Sequence, residues 1–234
     1  MIQGKRVLAV IPARGGSKGV PRKNIRLING HPLIAWTVRQ ALASNHTTEV
    51  IVSTDDEQIA QVALSYGAAV PFLRPTELAQ DDSPTVDAVL HVLSNLPESY
   101  DICCLLEPTS PLRKPRDIDE SVTLLESKWD TTDAVVTVGE VHLESPFICK
   151  KISDEGYLEP VVPATKYYQR QQLPKTYFPY GVFYGAKVDT LISEHTFYPK
   201  RTRSYFLERW QNFEIDDELD LLIVETIMKG YLVS

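Results

Sequence analysis

The sequence contains few cysteines, and they do not have the spacing typical of a zinc site or a redox motif. Among 234 residues there are only three, two of them adjacent at Cys103 and Cys104 and the third at Cys149. The five histidines are scattered and form no HExxH sequence. The chain therefore offers no familiar metal-ligand motif, and we expect the cysteines to have structural roles in a reducing compartment.

Long apolar runs are also missing. No stretch of about 18 apolar residues could span a bilayer, and the N-terminus lacks the apolar run of a secretory signal peptide. The charge balance is acidic, with a formal net charge of −7. A general nucleic-acid binder would present a dominant basic face, so this balance argues against that class. We predict a cytoplasmic protein that binds neither nucleic acid nor a membrane.

Apolar segments of strand length alternate with segments of helical periodicity, which is typical of an α/β protein with a mostly parallel sheet covered by helices. The length favours a single domain. Strands are predicted at about 6–12, 49–55, 68–74, 101–107, 133–139, 181–187 and 213–216. Helices are predicted at 31–43, between the strand at 49–55 and about residue 66, and at 115–128. Two more are predicted, one beginning at Ser83 and Pro84 and one at the C-terminus that ends at Gly230.

The alternation breaks between residues 140 and 179, which are rich in Pro, Tyr and polar residues. Within this segment, 147–152 and 157–161 are typical of a β-hairpin closed by a turn at 153–156. A hairpin alone is only marginally stable in water. We therefore expect it to pack against the main domain or a second subunit.

Acidic residues are absent before Glu49, although the first 48 residues carry eight Lys and Arg. Half of these cations lie in the segment IPARGGSKGVPRKN (11–24), which also contains three glycines and follows the first predicted strand. Open α/β sheets bind ligands at that position, glycines let backbone amides turn toward an anion, and arginine presents a fork to phosphate oxygens. The spacing matches neither GxxxxGK[ST] nor GxGxxG. The loop is either a polyphosphate site or a solvated basic turn, and repulsion among its cations favours a bound anion.

Six segments in order, IPARGGSKGVPRKN, STDD, LRPTELAQDDS, LEPTSPLR, RQQLP and EIDDELD, resemble the acylneuraminate cytidylyltransferase (CMP-sialic acid synthetase) family across about residues 6–230. The resemblance implies one domain over 1–234, a Rossmann-like nucleotide-diphospho-sugar transferase sheet with an inserted β-hairpin dimerisation subdomain at about 140–179. It also implies that CTP and a sialic-acid-like 2-keto sugar acid (a nonulosonic acid) react, with Mg²⁺, to give the CMP-sugar and pyrophosphate. In such a homodimer the hairpin segment reaches the partner's active site.

The resemblance also assigns site residues. The nucleotide would be bound by Arg14, Ser17, Lys18, Lys23, Asn24, Arg74, Ser83, Thr85 and Glu107. The sugar acid would be bound by Glu107, Arg170, Gln171, Tyr184, Phe197 and Tyr198. Glu214 and Asp216 would hold the metal, and the catalytic residues would be Arg14, Lys18 and Asp216.

Several of these residues have simpler interpretations. Ser83 could cap the helix that follows it, and Tyr184 and Phe197 could be core aromatics. Glu214 and Asp216 would share one face of a strand, which suits a metal pair, but Asp216 or Asp217 could instead cap the last helix.

Two departures from the family pattern concern the sugar. The family often has Gln in place of Glu107 and Asn in place of Tyr180. The alternatives are therefore a Kdo-type, legionaminic or pseudaminic acid cytidylyltransferase, or a nucleotide-binding module without catalysis.

Overall fold

The architecture is a mixed sheet covered by helices, described here from a computed structural model for residues 4–162 and 169–231. The strands are β1 Val7–Pro12, β2 Leu27–Ile28, β3 His31–Pro32, β4 Glu49–Ser53, β5 Ile102–Leu105, β6 Ala134–Glu140, β7 Lys150–Ile152, β8 Leu158–Pro160, β9 Tyr177–Lys187 and β10 Thr202–Phe206. The α-helices are α1 Leu33–Leu42, α2 Glu57–Ser65, α3 Thr85–Asn95, α4 Pro115–Ser127, α5 Val188–Glu194 and α6 Glu218–Tyr231.

Six strands form the central sheet in the order β10-β6-β9-β5-β1-β4. The pairs β1/β4, β1/β5 and β10/β6 are parallel, whereas β9 is antiparallel to both of its neighbours. Five strands therefore run in one direction and β9 runs against them. This confirms the prediction of a mostly parallel α/β sheet.

The alternating side chains of β1 divide the core into two layers. Val7, Ala9 and Ile11 pack on one face with apolar residues of α1, α2 and α4, while Leu8 and Val10 pack on the other with residues of α3 and α5. Helices therefore cover both faces of the sheet, and the ends of its strands are free to carry loops. In the ranges described, no helix has both the length and the apolar character needed to cross a membrane.

The strand predictions need three corrections: two predicted strands are not formed, and one observed strand was not predicted. The segment predicted as a strand at 68–74 makes only one isolated bridge, between Ile51 and Ala69. Pro71 and Pro75 lie in or beside it, and proline cannot donate a hydrogen bond to a sheet. The segment 213–216 is irregular, so that predicted strand is also wrong. Conversely, β10 pairs with β6 at the sheet edge, where no strand was predicted.

The predicted hairpin is present as β7 and β8, which form a separate two-stranded sheet. Its apolar side chains Ile152 and Leu158 are opposite each other, and each is 72% exposed. The helix α6 continues through Tyr231 rather than ending at Gly230.

Candidate active site

A large cavity of about 480 Å³ lies where β1 and β5 end. Its walls come from four stretches of sequence: the basic loop after β1, the segment 74–85, the turn after β5, and the segment before α6. All nine predicted nucleotide-binding residues line it, and so does Asp216. The lining is completed by Pro12, Gly19, Leu78, Gln80, Asp81, Pro108 and Thr109.

Two cations of the basic loop share one carboxylate. Arg14 Nη1 lies 2.8 Å from Asp81 Oδ1, and Lys18 Nζ lies 2.5 Å from Asp81 Oδ2. The hydrogen bond from Lys18, reinforced by Arg14, holds the pKa of the Asp81 carboxyl below its ordinary value. Asp81 therefore stays ionised at neutral pH, and it was not among the residues predicted from the sequence.

The other two cations also have acidic partners. Arg22 Nη1 lies 2.6 Å from Asp56 Oδ2, outside the cavity lining, and Lys23 Nζ lies 3.5 Å from Asp216 Oδ1. All four cations of the loop are thus paired with carboxylates from later parts of the chain. Their mutual repulsion does not by itself require a bound anion, contrary to the argument from sequence.

Glycine is required at position 19 because the basic loop passes very close to the backbone of the segment that carries Asp216. A Cβ at Gly19 would collide with the backbone oxygen of Asp216. Nearby, Lys23 Nζ donates to Ile215 O at 2.8 Å. Asn24 Nδ2 donates to Arg14 O at 3.0 Å and so ties the loop to itself. These contacts hold the basic loop against the segment that carries Asp216.

Arg74 is a buried cation with unused hydrogen-bond donors. The residue is 6% exposed, it is paired with Asp55 at 3.9 Å, and its Nε and Nη2 atoms have no hydrogen-bond partner in the described part of the chain. Burial lowers the pKa of its guanidinium, and the charge of Asp55 opposes this effect. Buried donors are rarely left unsatisfied, so a partner from outside the described residues is expected here.

Ser83 does not cap α3. The residue in the N-cap position is Pro84, and Ser83 Oγ donates instead to Glu77 O at 2.8 Å. The capping interpretation is therefore wrong, because helix α3 begins one residue later than expected. Ser83 and Thr85 both line the cavity at the beginning of the helix.

Glu107 lies between two cavities. It lines the large one and also a second one of about 270 Å³. Burial, and then the charge of Glu214, raise the pKa of its carboxyl to about 7. Gly181 is needed beside it, because a Cβ there would overlap the Glu107 carboxylate.

Arg113 fixes the turn that presents Glu107. This fully buried guanidinium donates from Nη2 to Glu107 O at 3.0 Å and to Gly181 O at 2.8 Å. Burial lowers its pKa to about 10, which leaves it charged at neutral pH. Arg113 therefore supports the site from outside the cavity.

The second cavity contains three of the predicted sugar-binding aromatics. Tyr184 lies at ring-centroid distances of 6.2 Å from Phe197 and 6.0 Å from Tyr198. Phe197 is 5% exposed and belongs to the core, yet it also lines this cavity, so both interpretations of it hold. The sequence analysis missed the remaining members of the wall, which are Val86, Leu105, His195 and Thr196.

Glu214 and Asp216 do not form the predicted pair on one strand face. Glu214 Oε1 accepts hydrogen bonds from Ser110 Oγ at 2.6 Å and from Gly181 N at 2.5 Å, and Glu214 does not line the large cavity. The Asp216 side chain is 85% exposed. The residue that caps α6 is Asp217, whose Oδ1 accepts from Leu219 N at 2.8 Å and from Asp220 N at 2.9 Å.

The donor set fits Mg²⁺ in a restricted way. Within the described ranges, no group of three or more His, Cys, Asp or Glu residues could hold a metal ion. Mg²⁺ commonly takes one or two carboxylates together with substrate phosphates and water. Asp216, exposed and facing the phosphate-type loop, is suited to such a shared site, whereas one oxygen of Glu214 is already occupied by protein donors.

Gln171, another predicted sugar-binding residue, lies away from both cavities. Gln171 is exposed in a 3₁₀ turn at Arg170–Gln172, where its Nε2 donates to Gln169 Oε1 at 3.1 Å. It does not line the cavities described above. The side chain of Arg170 lies outside the described part of the structure.

The sheet order, and a basic glycine loop at the end of its first strand, define a Rossmann-like nucleotidyltransferase fold. A solved structure titled CMP:2-keto-3-deoxy-manno-octonic acid synthetase complexed with CTP shares this fold, with a TM-score of 0.73 and 19% identity, and covers 97% of this chain and 100% of its own. A 4-diphosphocytidyl-2C-methyl-D-erythritol synthase structure from Anaerococcus prevotii is similar, with a TM-score of 0.66 and 14% identity over 97% of this chain and 100% of its own.

The chain belongs to the cytidylyltransferase family, whose model matches residues 8–229. It is 38% identical over 231 residues to CMP-N,N'-diacetyllegionaminic acid synthase of Legionella pneumophila, covering 96% of this chain and 97% of that protein. It is 33% identical over 224 residues to N-acylneuraminate cytidylyltransferase of Escherichia coli, covering 96% of this chain. It spans only 52% of the length of that second relative.

Proposed function

We propose that this protein transfers the cytidylyl group of CTP to a nonulosonic acid, giving the CMP-sugar and pyrophosphate. The observation that carries the proposal is the convergence of nine predicted nucleotide-binding residues on one cavity, among them a buried arginine with unused donors. The named relatives support the class of substrate, since they include synthases of CMP-legionaminic acid and cytidylyltransferases of N-acylneuraminate.

In the proposed reaction the anomeric hydroxyl oxygen of the sugar acid attacks the α-phosphorus of CTP. The bond from that phosphorus to the pyrophosphate oxygen breaks, and the hydroxyl proton is lost to a base. Arg14 and Lys18 would bind the phosphates and offset the negative charge that grows on the departing pyrophosphate. Arg74 would supply the donors that its burial leaves unused, and Ser83 and Thr85 would contact the nucleoside.

Magnesium is part of this proposal. The ion would supply charge neutralisation at the phosphates and polarise the reacting phosphorus. Asp216 would hold it as a carboxylate ligand, and Glu214 would assist through the oxygen that does not accept from Ser110 and Gly181. Asp216 could also accept the hydroxyl proton.

The second cavity would receive the sugar acid. This cavity adjoins the nucleotide site, because Thr85 and Glu107 line both cavities. Its aromatic rings suit the apolar edges and acyl groups of a sugar, while Glu107 can accept from a hydroxyl or amide N–H. Among the described residues the lining contains no Lys or Arg, so the sugar carboxylate would need another cation, such as Arg170 of a second subunit.

A homodimer in the cytoplasm would complete the enzyme. The hairpin exposes Ile152 and Leu158, and a third cavity of about 420 Å³ is lined in part by Leu143, Phe178 and Phe213. Burying such apolar surface against a second copy would stabilise the hairpin. Light scattering that shows only monomer at assay concentrations would contradict this part.

The test is release of pyrophosphate from CTP and Mg²⁺ with a panel of legionaminic, pseudaminic, N-acetylneuraminic and Kdo acids. We expect turnover with at least one nonulosonic acid and little with Kdo. Turnover with Kdo alone would move the protein to the alternative substrate class. Binding of CTP without pyrophosphate release from any sugar acid would instead favour a non-catalytic nucleotide-binding module.

A further inference from the structure

The contact of Asp81 with the basic loop places a protein carboxylate where a phosphate would otherwise bind. Each of its oxygens meets a different cation, Arg14 at 2.8 Å and Lys18 at 2.5 Å, and all three side chains line the large cavity. A carboxylate held in this way resembles an anionic ligand, because it offers two charged acceptors to a guanidinium fork and an ammonium.

We propose that Asp81 is an internal competitor of the triphosphate, a latch that closes the basic loop in the free protein and must be released when the nucleotide binds. The latch rests on the proposed function only in that the cavity accepts CTP. It goes beyond that function because it assigns a role to a residue that opposes ligand binding rather than contributing to it.

The location of Asp81 allows such a release. Ser83 N donates to Gln80 O at 3.3 Å, which makes Asp81 and Asp82 the two central residues of a tight turn. The side chains of Asp81 and Lys18 are 50% and 78% exposed. Breaking the contact therefore requires side-chain rotation at the tip of a surface turn and leaves the core unchanged.

The expected size of the effect follows from the exposure of these groups. Exposed ion pairs each shift an equilibrium by roughly 1.4-fold to fivefold. When only part of a population is competent to bind, the apparent affinity falls by the competent fraction. Two such pairs should therefore weaken triphosphate binding by about twofold to 25-fold.

The adjacent Asp82 offers a matched control. It occupies the same turn and carries the same charge, and it makes no ion pair or side-chain hydrogen bond with the rest of the described chain. Asp81→Asn and Asp82→Asn remove equal charge from neighbouring positions. A difference in triphosphate affinity between the two variants would report the contacts of Asp81 with Arg14 and Lys18, separately from the loss of one negative charge in the turn.

The experiment is calorimetric titration of the full chain with CTP and with inorganic tripolyphosphate, in the absence of sugar acid. We expect Asp81→Asn to lower the Kd of both ligands by about twofold to 25-fold, and Asp82→Asn to change it less than Asp81→Asn does, by under about twofold. In a Lys18→Gln background the gain from Asp81→Asn should shrink, because one of the two pairs is already missing.

Two results would overturn the latch. Weaker binding by Asp81→Asn would mean that Asp81 positions Arg14 and Lys18 for the ligand. Equal gains from the two Asn variants would reduce the effect to non-specific charge. Neither depends on catalysis, so a failure to release pyrophosphate with any sugar acid would reject the proposed function while leaving the result on the latch intact.

Discussion

Replacing Arg113 with methionine should cost much of the stability of the fold, because the guanidinium satisfies several buried acceptors at once. It donates to Val182 O, to Glu107 O at 3.0 Å and to Gly181 O at 2.8 Å. Its Nη1 also donates to two side chains, those of Thr37 and Gln40, at 3.1 and 3.4 Å. Methionine fills a similar volume but donates nothing, so all these hydrogen bonds would be lost, although Gly181 O and Glu107 O would each keep one backbone donor.

The magnitude follows from the three backbone oxygens alone. A hydrogen bond from a charged group contributes about 1.5–3 kcal/mol, so losing three of them implies a loss of about 5–9 kcal/mol in the free energy of unfolding. Whole domains are stable by only about 5–15 kcal/mol. Arg113→Met should therefore be severely destabilised or unfolded, and Arg113→Lys, which keeps a charge and three donors, should lie between it and the wild type.

Urea denaturation followed by circular dichroism measures this directly. Arg116→Met is the matched control, since Arg116 lies only three residues further along the chain, its side chain is 59% exposed, and it pairs with Glu208 at the surface. The control should lose less than about 1 kcal/mol. A loss below about 1 kcal/mol for Arg113→Met, with an unchanged denaturant slope, would refute the reasoning.

Three further predictions concern the cavities. Arg74→Met should raise the Kd for CTP at least about tenfold in titration calorimetry yet leave stability nearly unchanged, because its donors are unused in the free protein; a large loss of stability would contradict this. Gly19→Ala should lower CTP turnover more than about tenfold, because the added Cβ would push the basic loop away from Asp216. Gly16→Ala is the control, since its Cβ would point into open space, and it should keep its turnover. Equal rates for the two variants would reject the packing argument. Burial and Glu214 raise the pKa of Glu107 from 4.5 to about 7, so folding binds an extra proton between these values and stability falls as pH rises through them. Glu107→Gln should abolish that loss, up to about 3 kcal/mol, in urea titrations at pH 4.5 to 8; parallel pH profiles for the two proteins would disprove it.

Element type was predictable wherever local pattern and burial agree. Strand β1 and helix α4 are examples, since a continuous apolar run and a clear helical period each permit one buried arrangement. The segment 68–74 was not, because its apolar residues fit a strand while Pro71 removes a donor. The edge strand β10 was missed because a sheet edge tolerates charged residues that also suit a loop.

The candidate site was predictable as a set of residues but not as an arrangement of charge. Motifs identified the nine residues that meet at the large cavity. They gave no sign that Glu214 would turn toward Ser110 and Gly181, because that contact joins residues 104 and 33 positions apart. Contacts between residues so far apart in sequence depend on the topology of the whole fold, which a short motif does not reveal.

The same reasoning changes how the basic loop should be understood. In sequence it is a block of cations without an acid, but in the fold the ionisable groups lining the cavity are four cations, Arg14, Lys18, Lys23 and Arg74, and three acids, Asp81, Glu107 and Asp216. A triphosphate carries several negative charges, so a lining this close to neutral would attract it weakly. Affinity must then come from an added cation, from removal of a carboxylate, or from both. The proposed divalent ion at Asp216 and the proposed release of Asp81 would meet these two requirements.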